Sequence, residues 1–222
     1  MFVWAGEEGG RANNGEGAGH IRGVEREDVR ARGSACGKAY DTLVRRDARA
    51  VCAVGFLFCC ALGAVSHFFY EWSGEAVAAG IFFPANESVW EHMKLVFFPF
   101  AVYFALALPL APRLGGRTFG AFAGTYVAAA VLPCVFYTYT AFTGRAVLGA
   151  DIATFVAGTA AGMLTAYRAF TRVEKSRAAL AVGAAGIAVL VTLWLTLTLC
   201  APDFFLFTDP VTGGRGLPAH GR

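Results

Sequence analysis

Charge is scarce over most of this chain. Only 16% of its 222 residues are Asp, Glu, Lys or Arg, less than a soluble domain of this size carries. The charge present is also unevenly spread. Residues 1–49 hold nine Lys/Arg and eight Asp/Glu, which leaves ten and eight for the other 173 residues (222 less 49). The net charge of +3 is therefore less informative than its distribution. No basic cluster alternates with aromatic residues, which argues against a nucleic-acid surface. There is no HExxH, no GxSxG and no paired Glu-x-x-His, so no motif singles out a reaction. Six cysteines are present without a CxxC pair: Cys36 near the start, Cys52, Cys59 and Cys60 in one apolar run, and Cys134 and Cys200 in two others. They read as small apolar residues and not as a disulfide framework.

Apolar residues are abundant. They make up 56% of the chain, with 20 phenylalanines and a mean hydropathy of +0.52. Runs long enough for the roughly 20 residues that cross a bilayer occur at residues 50–72, 86–111, 119–142, 150–170 and 178–200. The expected fold class is all-α: a polytopic transmembrane helical bundle of five spans. Pro99 and Pro109 fall in the second span and Pro133 in the third. The Gly- and Arg-rich residues 1–49 read as a disordered tail, too long and too charged to be a signal peptide. Residues 73–85 read as a connector whose apolar patch, 79–83, is short enough to be interfacial or re-entrant. Residues 201–222 form a short second tail. Gly120 with Gly124, and Gly158 with Gly162, have the spacing that lets helices approach closely.

Five spans place the termini on opposite sides. Arg45, Arg46, Arg49, Arg113, Arg117, Arg168, Arg172, Lys175 and Arg177 all fall on one side. The positive-inside tendency makes that side cytoplasmic, so the expected orientation is N-in and C-out. Glu71, Glu75, Glu87, Glu91, Asp151, Asp203 and Asp209 then fall on the outer side, and Glu174 alone falls inside.

That acidic excess focuses attention on residues 67–94, which also hold both histidines of the apolar part, His67 and His92. Ionisable groups near a membrane span are costly unless paired or functional. His67 and Glu71 are four apart, as are Glu87 and Glu91, so each pair shares a helix face. Lys94, Tyr137, Tyr139 and Asp151 fall at the same membrane level. The mixed N/O set His67, His92, Glu87, Glu91 and Asp151 suits a divalent metal such as zinc. His92, His67 and Glu91 are also the candidate catalytic groups for acid–base chemistry. Glu71, Asn86, Lys94, Tyr137 and Tyr139 are supporting candidates. Competing explanations stand beside these. Ser88-x-x-Glu91 has capping-box spacing, Asn86 is a good N-cap, and Asp151 suits an N-cap of the fourth span. Lys94 can pair with Glu91 or Glu87, and Tyr70, Trp72 and Trp90 read as an interfacial aromatic belt. Capping explains neither histidine.

The run HFFYEW followed by PANESVWEHMKLVFFP, the DIATF at Asp151 and the ending LFTDPVTG resemble the DUF6512 family of bacterial integral membrane proteins. The resemblance covers roughly residues 52–213. It implies a small multi-pass protein of the bacterial cytoplasmic membrane and supplies no mechanism. Three readings follow. The first is a metal-binding or hydrolytic site at the outer membrane level. The second is a proton- or cation-coupled transporter or accessory subunit, and the third a structural or partner-binding membrane protein. The lipid bilayer is the expected partner; nucleic acid is not.

Overall fold

The computed structural model describes the backbone of residues 15–216 and the side chains from Ser34 onward. The chain divides into two compact units, Met1–Leu43 and Val44–Arg222. Secondary structure among the described residues is helical: α1 (Gly15–Ser66), α2 (Phe69–Trp72), α3 (Val77–Phe82), α4 (Val89–Leu110), α5 (Arg117–Thr143), α6 (Leu148–Arg172) and α7 (Arg177–Leu199), followed by a 3₁₀ turn at Phe205–Phe207. Five of these helices supply segments long and apolar enough to cross a membrane: Ser34–Ser66, Val89–Leu110, Arg117–Thr143, Leu148–Arg172 and Arg177–Leu199. The protein is thus an all-α bundle with five membrane-capable helices.

At the N-terminal side, α1 runs from Gly15 to Ser66. No proline interrupts this stretch, so each peptide N–H can reach its i−4 carbonyl. Residues 1–14 of the tail expected over residues 1–49 lie outside the described residues. The first apolar run is also divided: α1 stops at Ser66, and residues 69–72 form the separate short helix α2.

The α5–α6 pair packs extensively, and its glycines explain how. A Cβ on Gly162 would lie 2.6 Å from both the Gly124 carbonyl oxygen and the Ala128 Cβ. One on Gly124 would lie 2.9 Å from the Gly162 oxygen, and one on Gly158 3.1 Å from that of Ala128. Gly124, Gly158 and Gly162 therefore sit where the two backbones meet. Phe100, Leu114, Ala128, Ala166 and Phe170 are buried around this contact.

At the arginine-rich end, side chains tie the loops to the helices. Arg113 pairs with Asp47 at 3.0 Å, Arg117 donates to the Leu108 carbonyl at 3.0 Å, and Lys175 donates to the Pro112 carbonyl at 2.6 Å. At the opposite end, the connector between α2 and α4 carries the polar residues. Gly74 and Glu75 take positive φ values of 70° and 61°, reversing the chain before α3. Helix α3 ends with carbonyls that have no partner within the helix. Lys94 Nζ donates to the Gly80 oxygen at 2.5 Å, and Trp194 Nε1 to that of Ile81 at 3.4 Å. Side chains from two membrane-capable helices thus satisfy a short helix that could not satisfy itself in an apolar setting.

Candidate metal centre

The site is built on the sharp entry into α4. After the extended residue Phe83, Asn86 Oδ1 accepts the Ser88 N–H at 2.9 Å, an Asx turn. Ser88 is the N-cap of α4, and its hydroxyl accepts the Glu91 N–H at 3.3 Å. Asn86 supports the cap without being it. Only half of a capping box forms, because the Glu91 carboxylate turns elsewhere.

His92 lies one turn into the helix, with Nδ1 3.0 Å from the Ser88 carbonyl oxygen. A carbonyl can only accept, so Nδ1 donates to it, and in the neutral ring Nε2 is the nitrogen free to bind a metal. That Nε2 is 3.4 Å from Glu87 Oε2. His67, immediately after α1, places its Nε2 4.0 Å from Glu87 Oε1. The two imidazole centroids are 5.4 Å apart. Each of His67, Glu87 and His92 offers one ligand atom within 4.8 Å of the other two.

A tetrahedral zinc with bonds of about 2.0–2.1 Å holds its ligand atoms roughly 3.3 Å apart. The His92–Glu87 pair, at 3.4 Å, already matches this spacing, and the other separations are wider, up to 4.8 Å. The backbone hydrogen bond of His92 is the kind of support that fixes tautomer and ring orientation in metal sites. The site is open: 36%, 51% and 32% of the His67, Glu87 and His92 side chains is exposed. Three protein ligands on such a surface leave room for water at a fourth position.

The structure sends the other candidates to different places. Glu91 and Lys94, each 1% exposed, form a buried pair with Nζ 2.7 Å from Oε2. The same Glu91 oxygen accepts the Ala85 N–H at 2.8 Å, and Oε1 has no partner. Asp151 is not the N-cap of α6, which is Val147; it lies in the first turn and accepts a hydrogen bond from the Tyr139 hydroxyl. That hydroxyl also accepts the Val147 N–H at 3.2 Å. Tyr137 meets Phe205 edge-on at 4.9 Å. Glu71 is exposed. Neither Glu91 nor Asp151 joins the group of three.

The aromatic residues divide differently from the expected belt. Trp72 is exposed, while Tyr70 and Trp90 are buried. Burial, aided by the carboxylates of Glu75 and Glu91, raises the Tyr70 phenol above its usual range. Trp90 stacks on Trp194 at 4.8 Å and meets Phe207 at 5.0 Å. Phe207 belongs to the C-terminal tail, whose structural part the sequence reading missed. Residues 208–215 fold back on themselves, with Thr208 bridged to Arg215. Asp209 organises the turn: Oδ1 accepts the Val211 N–H at 2.8 Å, and Oδ2 accepts the Thr212 hydroxyl at 2.7 Å. Burial works to raise the Asp209 carboxyl, but hydrogen bonds from the Thr212 hydroxyl and from the N–H groups of Val211, Thr212 and Glu87 outweigh it. They hold the group below the usual carboxylate range. The Asp-Pro-Val-Thr sequence, with Asp able to accept two residues on and Pro preset for a turn, was the available signal.

Fold and composition together define a multi-pass α-helical membrane protein with a His/Glu/His cluster where α1 ends and α4 begins. The chain belongs to DUF6512, a family of unknown function, whose model matches residues 39–217. No curated protein and no solved structure gives a match.

Proposed function

We propose that this protein binds a divalent transition metal, zinc by preference, through His67, His92 and Glu87, and that the open site supports hydrolytic chemistry. The observation that carries the reading is the convergence of two imidazoles and one carboxylate, with the proton of His92 held away from the cluster. Two neutral nitrogens and one carboxylate oxygen form a donor set that zinc accepts. A metal at such a site lowers the pKa of its bound water and stabilises charge on a substrate oxygen. Glu91, paired with Lys94, then supports the helix that carries His92 and is not a ligand.

The protein sits in the bacterial cytoplasmic membrane with its N-terminal segment inside, and the metal site and C-terminal tail at the outer face. The basic residues Arg113, Arg117 and Lys175, paired with Asp47, Leu108 and Pro112, support this orientation, because they gather at the end away from the cluster.

Zinc titration of the purified, detergent-solubilised protein tests the metal reading. The expected result is one equivalent bound by the unaltered chain, and binding at least about tenfold weaker in His67→Ala and in His92→Ala. Failure of the unaltered chain to bind zinc, cobalt or another divalent transition ion would sink it.

A further inference from the structure

We propose that the C-terminal turn, residues 208–216, is a positioning element of the metal site, holding Asn86 and Glu87 so that the Glu87 carboxylate stays set against the two imidazoles. The proposal rests on the metal reading above and adds to it the part of the chain that keeps the third ligand in place.

Glu87 is the weak point of the cluster. It precedes α4, outside any regular element, and its side chain is half exposed. A carboxylate on an unrestrained loop would sample many positions, at a cost to metal affinity each time it had to be reordered. Its backbone is nevertheless held, and the holding groups come from the far end of the chain. Asn86 uses both ends of its amide: Oδ1 accepts the Ser88 N–H at 2.9 Å, and Nδ2 donates to the Gly216 carbonyl at 2.8 Å. The Glu87 N–H faces the Asp209 carboxylate. Peptide groups on both sides of the Glu87 Cα are thereby tied to fixed partners.

The turn is closed by its own hydrogen bonds. Asp209 is 4% exposed. Its N–H donates to the Gly214 carbonyl and its own carbonyl accepts the Gly213 N–H, both at 2.9 Å. Gly213 and Gly216 take φ values of 70° and 63°, which L side chains rarely adopt. Within the tail, Arg215 pairs with Asp203 at 2.7 Å, and Phe207, immediately before the turn, packs against Trp90. Trp90 lies in the first turn of α4, two residues before His92. The tail therefore contacts both the ligand loop and the ligand helix.

The test is a double-mutant cycle on full-length protein in detergent, with Co²⁺ as the probe, read by its visible absorption and its binding isotherm. Asp209→Ala is expected to weaken Co²⁺ binding about tenfold, the lower range for a residue supporting a ligand. Glu87→Gln weakens it directly. Adding Asp209→Ala to Glu87→Gln then causes little further loss, because the turn acts through Glu87. A purely structural role predicts equal losses in both backgrounds, and that result overturns the proposal. If Asp209→Ala does not fold, Thr212→Val removes one hydrogen bond of the turn. It is expected to give a smaller loss that also disappears beside Glu87→Gln. Unchanged affinity in the turn variants overturns the positioning role and leaves the metal reading intact. Absence of Co²⁺ binding by the unaltered chain overturns both.

Discussion

Among single residues, Lys94 is buried and makes two hydrogen bonds. Its ammonium is buried with the Glu91 carboxylate and also ends α3 through the Gly80 carbonyl. Removing one member of a buried pair leaves the other charge without compensation, at about 3–5 kcal/mol. Lys94→Met should destabilise the bundle by that amount, seen as a lower thermal midpoint in detergent. Replacing both members, as Glu91→Leu with Lys94→Met, should recover only part of the loss: it removes the uncompensated charge, but the Gly80 carbonyl and the Ala85 N–H still lose their partners. Asp209 gives a pH prediction. Its carboxyl is held below the usual range, so its stabilising contribution is complete above the unfolded value of about 3.9. The contribution is lost as the pH falls through the lower folded value. Hydrogen exchange of residues 86–88 and 209–216 should therefore stay slow from neutral pH to about pH 4 and rise only below it, after correction for intrinsic rates. Asp209→Asn should abolish that step.

At the scale of elements, the α5–α6 contact depends on having no side chain at Gly162. A larger residue there meets the Gly124 carbonyl, which is backbone and cannot rotate away. Gly162→Leu should force the helices apart, lowering stability by about 1–3 kcal/mol or more. By contrast, Gly149 has no neighbour within 4 Å at the position a Cβ would take, so Gly149→Ala should be tolerated. Comparing the thermal midpoints of the two variants checks both. The glycine spacings were visible in the sequence, but in a chain rich in Ala and Gly they arise readily by chance. Only the facing backbones distinguish these positions from Gly149. The same holds for α3. Its apolar patch was legible, whereas its dependence on Lys94 and Trp194 arises from residues 14 and 113 positions away.

For the whole molecule, the proposed orientation has a direct measurement. In a chain otherwise free of cysteine, Val211→Cys should react with a membrane-impermeant maleimide added to intact cells. Cys36, as the single cysteine, should react only after the membrane is opened. Both positions are exposed in the fold, so access depends on the side of the membrane. The opposite labelling would reverse the orientation and place the metal site at the inner face.

The sequence alone determined the class of protein, because membrane crossing depends on the length and polarity of single segments, and both can be read locally. It also determined which residues had to find partners, because charge is costly near an apolar run wherever it falls. The tertiary structure decided which partners they found. Glu87 came to the histidines and Glu91 to Lys94, although the two carboxylates share one helical face by spacing. The α4 N-cap at Ser88 turned the chain between them, so that one carboxylate lies before the helix and the other within it. Asp151 went to Tyr139, and Asp209 came back to the Glu87 loop across more than a hundred residues. Contacts of that kind depend on where helices stand in space, and no periodicity in the chain encodes them.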